Sequence, residues 1–116
     1  MKPTRSLALL ALVPALLAAL SGCDLILQRS EGEKLWRKHC AECHGIDGSG
    51  NTPRYMGDAW ADLRDDAWRV GGDRSSIENV VREGVFARMP GYNEKLSSAE
   101  IRLIIDYLYQ LRGERG

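Results

Sequence analysis

One pentapeptide restricts this chain more than anything else in it: Cys40-Ala41-Glu42-Cys43-His44, a C-x-x-C-H motif. Two cysteines at this spacing can each add across a haem vinyl group, giving two thioether bonds, and the histidine beside the second then lies under the iron. In a chain of 116 residues a buried macrocycle is the largest single apolar object the core can hold. A bare C-x-x-C also suits a dithiol redox pair, half of a zinc site or a disulfide. A zinc site wants two further ligands, and only Cys23 and His39 are left, with His39 directly before Cys40. A thioredoxin-like pair wants a βαβ setting, and none surrounds the motif. Neither alternative accounts for His44.

The length allows one domain. Lys plus Arg and Asp plus Glu number 16 each, so no strongly charged partner such as nucleic acid is implied. The leading residues read as a signal rather than as part of the fold. Lys2 and Arg5 form a positive start, and Leu7 to Leu20 is an almost unbroken Leu/Ala/Val run interrupted by Pro14. That run is short for a membrane span of about 20 residues and suits a signal core. It ends in Leu20-Ser21-Gly22-Cys23, which resembles the lipobox of bacterial lipoproteins, where the signal is cut before the cysteine and the thiol carries a diacylglycerol. An ordinary secretory signal or an uncleaved anchor are the competing readings. The expected division is a signal peptide over 1–22, the lipid-bearing Cys23 with a short tether to 30, and the domain over 31–116. Asp24 after the cysteine resembles the residue that retains such lipoproteins at the inner membrane. Outside the cytoplasm a C-x-x-C pair is either oxidised or modified, which strengthens the haem reading.

Along the domain, Gly32, Leu35, Trp36 and His39 have helical spacing. Glu31 and Glu33 stand in the first turn and Arg37 and Lys38 in the last, as the helix dipole favours. After His44 a glycine-rich stretch runs to Pro53 and excludes a helix interior. Residues 56–68, with Ala59, Trp60, Leu63, Ala67 and Trp68, read as one or two short helical turns. Ser75 and Glu78 read as a capping box opening a helix that Gly84 stops. A Pro90-Gly91 loop follows. Ser97 and Glu100 form a second box ahead of the stripe Ile101, Ile104, Ile105, Leu108 and Leu111. No alternating strand pattern occurs, so the expected class is all-α.

In this order the residues resemble a class I (monohaem) c-type cytochrome, over about Gly32 to Leu111. Cys40-x-x-Cys43-His44 and Met89-Pro90 carry the likeness most strongly. The resemblance implies a cytochrome c-like fold of three to five short helices wrapped around one covalently bound haem c. It implies thioethers at Cys40 and Cys43, and His44 and Met89 as the axial iron ligands. It further implies that the Pro53 carbonyl meets the other nitrogen of His44, and that the first and last helices cross at Gly32, Trp36 and Tyr107. Met56, the other methionine of the domain, lies in the segment expected to wrap the haem edge. His39 reads as a partly exposed helix-end residue. Trp60, Trp68, Tyr55 and Arg54 are candidate donors to the haem propionates, with simple packing as the plainer role.

Two filled axial positions imply a single-electron carrier, tethered by lipid in the bacterial periplasm and meeting redox proteins transiently. No catalytic constellation stands out, since Asp65-Asp66 reads as a solvated turn, and no small-molecule substrate is expected. The rivals are a five-coordinate haem gas sensor or small haem enzyme, if Met89 does not ligate, and a haem subunit of a larger dehydrogenase or reductase complex.

Overall fold

The computed structural model describes residues 29–114, so the expected signal peptide, Cys23 and most of the tether lie outside the described residues. Four helices follow in order: α1 (Glu31–His39), α2 (Ala41–His44), α3 (Arg74–Glu83) and α4 (Ser98–Leu111). Among the described residues the only extended pairing is an isolated bridge between Val85 and Met89.

Helix α1 starts where the Ser30 hydroxyl accepts the Glu33 N–H at 3.1 Å. Its acidic first turn and basic last turn match the macrodipole. Gly32, Leu35 and Trp36 form its buried face. Cys40 ends α1 and begins the single turn of α2: its N–H donates to the Trp36 carbonyl (2.8 Å), and its own carbonyl accepts the His44 N–H (2.9 Å). The haem-type motif is therefore one helical turn set at a break in the helix.

Helix α4 opens with the expected capping box: Ser97 and Glu100 satisfy each other's backbone N–H groups. Ile101, Ile104, Ile105 and Leu108 face inward, and Leu111 packs partly exposed at the end of the stripe. Helix α3 adds Ile77 and Val81 to the same core. Trp36, Ile101 and Ile105 are the largest fully buried side chains, each contributing on the order of 1.5–3 kcal/mol through burial.

Helices α1 and α4 cross in close contact at Gly32. A Cβ there would stand 2.3 Å from the Leu103 carbonyl oxygen. Trp36 and Tyr107 complete the crossing, with ring centroids 6.2 Å apart. The crossing expected from the sequence is present.

Two local expectations are corrected. The N-cap of α3 is Asp73, not Ser75. The Asp73 carboxylate accepts the Ser76 N–H (3.0 Å) and the hydroxyls of Ser75 (2.5 Å) and Ser76 (2.6 Å), a load that a serine hydroxyl cannot carry. Glu78 accordingly turns away from the cap and pairs with Arg82 at 2.8 Å. Residues 56–68 form turns without a helix. Asp58, Asp62 and Asp65 each accept the backbone N–H two residues on, from Trp60, Arg64 and Ala67. These local bonds take donors that a helix would have used.

The turn-rich segment is tied down at both ends. Leu63 N–H donates to the Gly48 carbonyl at 2.8 Å, and Gly50 lies so close to Ala61 that a Cβ would stand 2.6 Å from its carbonyl carbon. From the other side Arg112, its side chain only 5 % exposed, donates to the carbonyls of Leu63 and Asp65 and lies 4.8 Å over the Trp68 ring.

Candidate haem site

Between α2, the turns of 55–70, α3, the loop after it and α4 lies a cavity of about 450 Å³. Its walls are mostly apolar, from Leu63, Trp68, Ile77, Val81, Ile104 and Leu108 among others. The size and lining suit an enclosed flat cofactor.

Cys40, Cys43, His44 and Met89 all line this one cavity, although Met89 comes from a distant loop. Both cysteines are free thiols. Met56 is 72 % exposed and does not line the cavity. Among the candidate propionate donors, Trp60, Trp68 and Tyr55 line it. Arg54 does not, and pairs outward with Glu42.

His44 Nδ1 stands 2.9 Å from the Ala61 carbonyl oxygen. A carbonyl only accepts, so Nδ1 carries the proton and Nε2 keeps its lone pair for a metal. Burial pushes the His44 pKa below its ordinary value, and the bond to Ala61 opposes this only in part, so the ring is held neutral. Burial together with the neighbouring Cys43 pushes the Cys40 thiol up to about 12.

The partner of His44 corrects a sequence expectation. Pro53 is exposed and lies off the cavity, and Ala61 takes the role assigned to it. The reason is the close approach of Gly50 to Ala61, which brings that backbone under the motif. The loop beyond the motif is set by Trp36, whose Nε1–H donates to the Gly45 carbonyl at 3.0 Å. Gly50 N–H also donates back to the His44 carbonyl at 2.7 Å.

Three contributors escaped sequence reasoning. Ala61 acts through its backbone, which residue type does not reveal. Thr52, 7 % exposed, uses its hydroxyl to accept the Tyr55 N–H in the turn beneath Cys43. Arg88 lines the cavity beside Met89, and nothing in its sequence setting marks it as more than a surface cation. His39 stands at the helix end as expected, its ring edge-on to Tyr92, whose hydroxyl donates to the His39 carbonyl at 2.9 Å.

Two free thiols at the attachment spacing, a neutral imidazole with one free nitrogen and an apolar enclosure form a donor set that fits a covalent haem. Comparison with known proteins agrees. Residues 28–108 match the family described as Cytochrome C oxidase, cbb3-type, subunit III. The chain is 37 % identical over 84 residues to the cbb3-type cytochrome c oxidase subunit CcoP of Cereibacter sphaeroides, covering 72 % of this chain and 28 % of that protein. It is 31 % identical over 83 residues to subunit FixP of Azorhizobium caulinodans, covering 72 % and 27 %. The chain thus spans under a third of the length of these curated relatives. Among solved structures, the KustC0563 c-type cytochrome superposes with a TM-score of 0.57 at 28 % identity, covering 73 % of this chain and 98 % of that one. The chain belongs to the cytochrome c oxidase, cbb3-type, subunit III family, and its helical domain is a class I c-type cytochrome that binds one haem c.

Proposed function

We propose that this chain is a single-electron carrier, tethered by a lipid on Cys23 to the inner membrane and working in the bacterial periplasm. Cys40 and Cys43 would hold the haem through thioethers, and His44 Nε2 and the Met89 thioether would ligate its iron. The observation that carries this reading is the convergence of those four side chains on a single apolar cavity.

When bound, haem c supplies a reversible one-electron exchange, and thioether ligation favours its reduced form. The chain's own residues fix the setting. Ala61 holds the His44 ring in one orientation and one tautomer. Paired backbone bonds between Val85 and Met89, both 2.9 Å, set the methionine at the cavity wall. The walls offer a mostly apolar surface, and no side chain is asked to move a proton.

The relatives' names place them as subunits of cbb3-type oxidases, which favours a respiratory oxidase as the electron acceptor. The same observation favours a second form of the reading, in which the domain is a haem subunit resident in such a complex. Either form leaves the axial assignment unchanged.

The test is an optical spectrum of protein matured with its haem, reduced, with and without carbon monoxide. Wild type is expected to give a low-spin ferrous spectrum that carbon monoxide leaves nearly unaltered. Met89→Ala should keep haem attached yet bind carbon monoxide readily. Equal carbon monoxide binding by wild type and variant would remove Met89 as ligand and bring forward an open-site sensor or enzyme.

A further inference from the structure

We propose that Arg88 is a positioning residue that clasps the Met89 loop across the cavity mouth onto Trp60, and so keeps the sixth ligand in place. The inference rests on the reading of Met89 as that ligand.

The loop from Val85 to Gly91 is rigid at its base and bare at its tip. Val85 and Met89 exchange two backbone bonds, and the Arg88 N–H also donates to the Val85 carbonyl at 2.9 Å. Beneath them the backbone is packed too tightly for side chains: a Cβ on Gly84 would stand 2.4 Å from the Met89 oxygen, and one on Gly91 2.6 Å from the Arg82 oxygen. At the tip, Phe86 is 99 % exposed. Beside it Ala87 has φ 58, the one non-glycine residue in the left-handed region among those described. A conformation of this kind persists only where its surroundings hold it.

Arg88 supplies a hold. Its guanidinium carbon lies 4.4 Å from the Trp60 ring centroid, the shortest cation–ring contact among the described residues. Among those residues it makes no ion pair that would draw it elsewhere. Trp60 is itself braced. Arg69 lies 5.3 Å from the same ring and donates to the carbonyls of Ala59 and Ala67, both at 3.1 Å.

The two ends of the contact give it meaning. Arg88 precedes Met89, and Trp60 precedes Ala61, whose carbonyl fixes His44. The clasp therefore joins the segment bearing one axial ligand to the segment that orients the other. A merely decorative surface cation would leave ligand retention untouched.

The experiment measures carbon monoxide binding rates to the reduced, haem-loaded full chain, with haem content checked in every variant. Arg88→Ala should raise the rate several-fold, on the order of five, as expected for loss of a cation–ring contact. Trp60→Leu should do the same, and the double variant should exceed neither single change. Arg88→Lys, which keeps a cation, should fall between wild type and Arg88→Ala. Glu94→Ala, exposed just beyond the loop and off the cavity, should match wild type. If Met89→Ala opens the site while Arg88→Ala and Trp60→Leu bind at the wild-type rate, the clasp is overturned and the ligand stands. If Glu94→Ala accelerates binding as much as Arg88→Ala, the effect is general disturbance of this region and the clasp is overturned. If Met89→Ala itself binds no faster than wild type, the ligand assignment falls first and the clasp with it.

Discussion

Gly32 shows how one missing methyl group sets the geometry of a whole domain. An alanine there would recover about 1 kcal/mol of helix propensity. Its Cβ, however, would stand 2.3 Å from a backbone oxygen of α4, and a backbone cannot swing aside as a side-chain tip can. Forcing such contacts apart costs about 1–3 kcal/mol, so the clash wins. Gly32→Ala should lower the melting temperature by several degrees, given about 4–8 °C per kcal/mol for a domain of this size. An unchanged or higher melting temperature would show that the helices do not need this closeness. Cys40, Cys43, His44 and Met89 all line one cavity; the first three stood out in advance by type and spacing, and Met89 through the family resemblance. Ala61 did not, because a carbonyl belongs to every residue and only the folded path selects one.

At the level of elements, caps proved more legible than the turns between them. Ser97 and Glu100 behave as their spacing promised, while at α3 the same pattern misled because a stronger acceptor stood two residues earlier. Asp73 shows what that acceptor does. The hydroxyls of Ser75 and Ser76, then the Ser76 N–H, hold its carboxyl well below the usual carboxylate range. A group depressed on folding stabilises the fold above its unfolded value of about 3.9, and that contribution fades as pH falls through the folded value. Asp73→Asn keeps a capping acceptor but cannot titrate. It should lower stability near neutral pH, where the charged carboxylate contributes, and flatten the loss seen below about pH 4. Glu78, held low by Arg82, and Glu100, held low by Ser97, act in the same direction, so the acid loss should shrink without vanishing. Denaturant midpoints at pH 7 and pH 3 provide the check; equal acid losses in both proteins would contradict it. The turns of 56–68 were illegible as turns because their apolar residues carry helical spacing, while the aspartates that break the pattern look like ordinary surface charge.

For the whole molecule, the proposed attachment to a membrane rests on Cys23, outside the described residues. Among the described residues no helix is long and apolar enough to cross a bilayer. Two or three acyl chains on that cysteine would hold firmly, at about 0.8 kcal/mol per buried CH₂. Cys23→Ser should move the protein from the membrane pellet to the soluble fraction, with its haem spectrum intact. A variant still in the pellet would point to an uncleaved anchor or to residence in a complex. The class and the helix order were legible here because the residues that make them are periodic. The enclosing shape was not, since it depends on where Gly50 meets Ala61 and where Arg112 reaches Leu63.

The crossing of α1 with α4 also bears on the order of events in biogenesis. The cysteines lie near the start of the domain, and the helix that walls them in comes last. If the chain crosses a membrane N-terminus first, as the proposed function requires, Cys40 and Cys43 emerge before α4. In that order of emergence the attachment loop would stand open to the cofactor until the final helix arrives and closes the cavity.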